Sequence, residues 1–207
     1  MSQNTSSAVM QQRSEPHSSL DDFPTPCWAT RALCEWIVDR GYQTQDMTCR
    51  EPAANRGHMV KPLREYFGKV EASDIHDYGA GFPVQDYLFG AEPIGIVGWT
   101  ITNPPFRLAQ QFITQARNTS RHGVAVIVRT AFLEGIGRYN DLFSTGAPTD
   151  ILQFSERVVM HKGSTATAYC WLIWRNNDRT GQTAFDWIAP CRKRLERSGD
   201  YPVEAAQ

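Results

Sequence analysis

No two cysteines in this chain have Cys-x-x-Cys spacing, and their number is odd: Cys27, Cys34, Cys49, Cys170 and Cys191. That argues against a disulfide framework and for reduced thiols in a cytoplasmic compartment. No Cys/His cluster has ligand spacing, so no metal site is expected. Long apolar runs are missing, so no membrane span is expected. The first twenty residues lack the apolar centre of a signal peptide. An excess of either charge is missing too: 21 Lys and Arg stand against 22 Asp and Glu, a net of -1. No global field therefore draws the protein to nucleic acid. There is no repeat of fixed period, and 207 residues leave no room for a second large domain.

What is present is one α/β pattern with a Ser/Gln-rich preface. Residues 1 to 20 are poor in apolar side chains, and a disordered tail is expected there. Residues 21 to 207 are expected to form a single domain. Phe23-Pro24-Thr25-Pro26 punctuates its start. Trp28 to Arg40 carries apolar residues at 29, 33, 36 and 37, one face of a helix that Gly41 ends. Met47 to Arg50 is a strand candidate, His58 to Phe67 a helix that includes Pro62, and Lys69 to Ser73 a second strand. A Gly-rich loop from Tyr78 to Pro83 leads to Asp86. The apolar run Gly95 to Thr102 reads as a buried strand, followed by a helix from about Leu108 to Asn118. Gly123 to Val128 is the clearest buried strand, and a short helix around Phe132 to Leu142 follows it. Asp150 to Phe154 and Thr165 to Trp174 close the pattern, the latter bulky on both faces as an interior strand would be. The predicted fold is a doubly wound, Rossmann-like sheet, mostly parallel with an antiparallel edge strand.

In an open sheet of this kind ligands bind beyond the carboxyl ends of the strands, at the topological switch point. Four candidate groups stand at such ends. Glu51-Pro52-Ala53-Ala54-Asn55-Arg56-Gly57 is a turn of small residues that lets a ligand approach the backbone, although a βα turn also needs small residues merely to pack. Asp74 is placed to accept both hydroxyls of a ribose, or to cap a turn. Asp86 is placed to accept from an adenine amino group, or is a loop aspartate. Asn103-Pro104-Pro105-Phe106 is the most specific of the four. Its prolines hold φ and donate no hydrogen bond, so the carbonyls of the turn are free and fixed in direction. Asn103 Oδ1 and the Pro104 carbonyl are placed to accept from one NH2 group, and Phe106 to stack on a flat ring carrying it. From Arg175 to Arg197 six basic residues (Arg175, Arg179, Arg192, Lys193, Arg194, Arg197) meet three acidic ones (Asp178, Asp186, Glu196). They read as a solvated face or as a phosphate-contacting patch.

In this order, Phe23-Pro24-Thr25-Pro26, Glu51 to Gly57, Asp74-Ile75, Asp86-Tyr87-Leu88 and Asn103 to Phe106 resemble the S-adenosylmethionine-dependent amino-methyltransferases. They look most like the adenine-N6 DNA methyltransferases in the short form carried by phages and prophages. The resemblance covers about residues 23 to 174. It implies S-adenosyl-L-methionine as cofactor and DNA as partner. Glu51, Asp74 and Asp86 would bind its amino acid, ribose and adenine parts, with Pro52, Ala53, Asn55, Gly57, Ile75 and Tyr87 around them. Thr25 and Pro26 would cover the methionine moiety. Asn103, Pro104, Pro105 and Phe106 would be the catalytic turn, and Phe106, Arg138, Arg157, His161 and Lys162 would hold the substrate. The family turn usually has Gly where this chain has Asn55. The same pocket would also suit adenine in RNA, N4 of cytosine or a protein glutamine amide. A catalytically inactive binding module is a further reading.

Overall fold

The computed structural model describes residues 22–90, 94–160, 167–178 and 180–201. The tail expected over residues 1 to 20 lies outside them, as do His161, Lys162 and Arg179. Helix α1 (Cys27–Asp39) begins where the Pro26 carbonyl accepts the Ala29 N–H at 3.0 Å, and Gly41, at φ +84, follows its end. Then come β1 (Thr48–Glu51), α2 (Val60–Tyr66), β2 (Lys69–Ala72), β3 (Val97–Thr102), α3 (Ala109–Thr119) and β4 (Ser120–Arg129). Pro62 falls in the first turn of α2, where its missing N–H would have no helical partner in any case. The chain continues with β5 (Asp150–Phe154), β6 (Tyr169–Arg175) and β7 (Ala184–Ile188).

The seven strands form one sheet in the order β2-β1-β3-β4-β6-β5-β7. Every neighbouring pair is parallel except the two that involve β6. The reversed strand stands inside the sheet, between β4 and β5, with β7 forming the rim beyond. Its composition explains that position. Tyr169, Trp171 and Ile173 pack with Trp28, Leu33 and Ile37 of α1. Cys170, Leu172 and Trp174 pack on the other face with Ile113 and Ala116 of α3. A strand covered on both sides buries large apolar groups at every position, each worth roughly 1.5–3 kcal/mol. Strand β4 alternates in the same way, Ala125 and Ile127 against Val124, Val126 and Val128. Gly123 is required where β4 passes Trp99: a Cβ there would lie 2.6 Å from the indole and 2.9 Å from the Trp174 carbonyl.

Two regions differ from the sequence pattern. The single helix expected over Phe132 to Leu142 is a chain of short turns from Thr130 to Gly146, because Gly135 at φ +120 breaks the helical path. Strand β7 was not anticipated. Its aromatics Phe185 and Trp187 face outward, 50% and 64% exposed, so its pattern is not that of a core strand. No helix among the described residues is long and apolar enough to cross a membrane.

Candidate active site

Because β2, β1, β3 and β4 are parallel, their carboxyl ends share one edge of the sheet. The chain leaves β1 toward β2 on one side, while β3 lies on the other, so the switch point opens beyond β1 and β3. A pocket of about 950 Å³, solvent at its mouth included, occupies that place. It is lined by Thr25 from the entry segment, by Pro52, Ala53 and Asn55 after β1, and by Asp74 and Ile75 after β2. Asp86 and Tyr87 close another side, and Asn103 and Pro105 come from the turn after β3.

Behind the turn after β1 lies Glu51. It is fully buried at the end of β1, where its Oε1 accepts from Thr102 Oγ1 at 2.6 Å and from the Ala53 N–H at 3.0 Å. Its Oε2 is buried with no hydrogen-bond partner among the described residues. Burial pushes this carboxyl up to about 8, and the neighbouring Asp74 adds to the shift. A buried acceptor of this kind attracts a cationic donor, which would discharge the penalty.

Asp74 is nearly buried beyond β2. One oxygen accepts the Asn55 N–H at 2.9 Å and the other the His76 N–H at 3.0 Å, which fixes the carboxylate in the pocket wall. Asp86 accepts from the Leu88 and Phe89 N–H groups through a single oxygen, Oδ1, at 2.9 and 3.0 Å. Two large apolar side chains stand exposed at the lining, Ile75 at 64% and Phe89 at 82%, as a site for a flat ring would present them.

Asn55 has φ +48, the only positive φ at a non-glycine among the described residues. Asn tolerates that region better than most side chains. Its Nδ2 donates to Asp22 at 3.0 Å and its Oδ1 accepts the Arg56 N–H at 2.6 Å, while Arg56 pairs with Asp22 at 2.7 Å. Asn55 thus anchors the entry segment to the turn. Gly57, at φ +85, lies against Phe82, whose ring a Cβ would meet at 2.9 Å.

Asn103 completes the edge. Its Nδ2 donates to the Phe23 carbonyl at 2.8 Å and lies 3.5 Å from Met160 Sδ. That commitment orients the amide and leaves Oδ1 as its acceptor.

The fold is shared with solved structures assigned as methyltransferases, among them one of the class I S-adenosylmethionine-dependent kind. A Listeria monocytogenes protein assigned to that class superposes with a TM-score of 0.61 at 13% identity, over 84% of this chain and 68% of its own. The methyltransferase subunit of a type I restriction-modification system from Streptococcus thermophilus gives 0.62 at 12% identity, over 86% of this chain and 49% of its own. This chain therefore spans about half the length of that subunit. A Pyrococcus horikoshii protein assigned as an RNA methyltransferase gives 0.60 at 16% identity, over 78% and 91%. No family model and no curated protein matches the chain by sequence.

Glu51, Gly57 and several other expected site residues lie outside the pocket lining. Pro26 starts α1, and Pro104 is buried beneath the turn. The Phe106 ring packs 5.2 Å from Phe23, with the Arg129 guanidinium 4.2 Å from its centroid. Arg138 donates to the Phe132 carbonyl at 2.8 Å and to that of Glu134, holding the turns after β4 together. Arg157 is exposed, and His161 and Lys162 lie outside the described residues. In the basic stretch, Arg175, Arg192, Arg194 and Arg197 pair with Asp150, Glu196, Glu35 and Glu65, as a solvated face would. Sequence reasoning did not single out Thr102, Phe23 as a site residue, or His58, which lines the pocket with a buried, unpartnered Nδ1. Burial pushes that imidazole below its ordinary value. A Thr at a strand end carries no distinctive signal; the Phe23 carbonyl matters only through its contact with Asn103.

Proposed function

We propose that this protein binds S-adenosyl-L-methionine in the pocket beyond β1 and β3 and methylates an exocyclic amino group, best N6 of adenine in DNA. The observation that carries this is Asn103: the amide stands at the pocket edge with its nitrogen anchored and its oxygen left to accept. The pocket fits the cofactor. Asp74 suits a ribose and Ile75 with Phe89 suits an adenine ring, while Glu51, buried behind the small turn, holds that turn through the Ala53 N–H.

S-adenosylmethionine would supply an electrophilic methyl group on a sulfonium sulfur. The chain's part is to make a poor nucleophile competent. The lone pair of an adenine amine is delocalised into its ring. In this reading Asn103 Oδ1 accepts one of its protons and the carbonyl of Pro104, a residue largely buried in the turn, the other, which pulls the nitrogen toward tetrahedral geometry. The same two oxygens stabilise the positive charge that develops there. Orientation supplies up to roughly 7–11 kcal/mol in favourable cases. Taking the base out of a duplex costs on the order of a few kcal/mol.

Methyl-labelled cofactor, offered with separate DNA, RNA and protein pools and followed by nucleoside mass spectrometry, tests the acceptor. N6-methyladenine in the DNA pool is expected; label confined to RNA adenine or to protein would replace that acceptor. In Asn103→Ala, methyl transfer should fall by about 10²–10³-fold, the scale of one lost transition-state contact. Cofactor affinity by calorimetry should hold. Near-normal turnover in that variant would remove the mechanism.

A further inference from the structure

We propose that Arg129 is a phosphate-binding residue of the acceptor site, gripping the backbone of a polynucleotide beside the base received by Asn103. The inference rests on the nucleic-acid reading above and adds a residue and a contact to it. Strand β4 ends at Arg129, next to the end of β3. The guanidinium lies 4.2 Å from the Phe106 centroid and 5.9 Å from that of Phe23, and the two rings are 5.2 Å apart. Phe23 in turn supplies the carbonyl that orients Asn103. The cation is therefore built into the same cluster as the catalytic amide.

Arg129 is marked by an Nε that is buried with no acceptor, and no carboxylate among the described residues pairs with it. Arg31, Arg56 and Arg175 each reach a carboxylate at 2.7 Å, and Arg50 reaches one at 3.2 Å. Stacking on an aromatic face attracts a cation but does not neutralise it. It does hold the planar fork in one orientation, which is the pre-organisation that bidentate recognition of an oxyanion uses. A polynucleotide places a phosphate on either side of every base. A glutamine amide in a protein brings no such charge at a fixed distance.

The test uses the full chain and a short fluorescein-labelled oligonucleotide of mixed sequence, as single-stranded DNA, duplex DNA and RNA. Fluorescence anisotropy is read between about 50 and 200 mM salt. R129M should bind about tenfold more weakly, the loss of one charge-assisted contact. Its log affinity should fall less steeply with log salt, by about 0.7–0.9. R129K should keep the wild-type slope. S-adenosylmethionine affinity by calorimetry should be unchanged in both, and R129Q serves in place of R129M if that variant melts early. Wild-type affinity and slope in R129M or R129Q, or a slope lost equally in R129K, would overturn the assignment alone. A wild-type protein that binds none of the oligonucleotides and methylates only protein would overturn the nucleic-acid reading with it. Which of the three probes binds best separates DNA from RNA.

Discussion

Glu51 is the residue at which stability and the proposed cofactor role pull in opposite directions. It is fully buried, one oxygen is unpartnered, and its carboxyl is pushed up to about 8 from an ordinary value of 4.5. The folded protein therefore holds this proton more tightly than the unfolded chain does. Below about pH 4.5 both states are protonated and the group costs nothing. As pH rises toward 8 the unfolded state ionises first, and stability is lost progressively, on the order of a few kcal/mol in all. Glu51→Gln removes that titration. We expect its melting temperature to exceed that of the wild type at pH 8 and to match it near pH 4.5, while S-adenosylmethionine affinity drops. Equal melting curves at both pH values would show that Oε2 carries no such penalty. The sequence made Glu51 a candidate through its place in a small-residue turn. It could not reveal the depth of burial or the Thr102 hydroxyl that comes from the neighbouring strand. The same holds for Asn55: the turn pattern is visible in the chain, but the Asp22 and Arg56 contacts that use its side chain are tertiary.

At the level of elements, α1 and α2 are tied together by one side chain. Arg31 is fully buried and donates to Glu65 at 2.8 and 2.7 Å, to Asp200 at 2.7 Å twice, and to the Leu195 carbonyl at 2.7 Å. Its guanidinium holds both carboxyls below their ordinary values. A depressed carboxylate contributes stability above its unfolded value, here 3.8 for Asp200 and 4.5 for Glu65, and loses it as pH falls through the folded value. Arg31→Met would leave Asp200 buried without its partner, which should cost on the order of 3–5 kcal/mol. Urea unfolding at pH 7 should show that loss, and the gap between variant and wild type should narrow as pH falls below about 4, the ordinary carboxylate range. A gap that is constant across pH would mean the loss is one of packing alone. None of this was legible in the sequence, because the partners of Arg31 lie 34 and 169 positions away. The strands were legible where both faces are apolar, as in β4 and β6. Strand β7 was not, since its aromatics face outward and its pairing with β5 is long-range.

For the molecule as a whole, electrostatics limits how nucleic acid could be held. The net charge is -1, and Arg175, Arg192, Arg194 and Arg197, which the sequence offered as either a solvated face or a phosphate patch, pair with carboxylates of the same chain. Attraction must then come from a few positions near the acceptor site rather than from a broad basic surface. Each phosphate neutralised by the protein contributes roughly 0.9 to the slope of log affinity against log salt on duplex DNA, and about 0.7 on a single strand. A protein making one to three such contacts should show a slope no steeper than about -3. Anisotropy titrations across that salt range, with the oligonucleotide in both forms, give the number directly. A slope steeper than about -5 would require basic side chains beyond those facing the pocket edge. In the proposed mode, weak backbone attraction shifts the burden of affinity to the base itself, at Asn103 and its turn. Binding should therefore tighten when the target base is already unpaired, because the protein has little phosphate energy with which to offset unstacking.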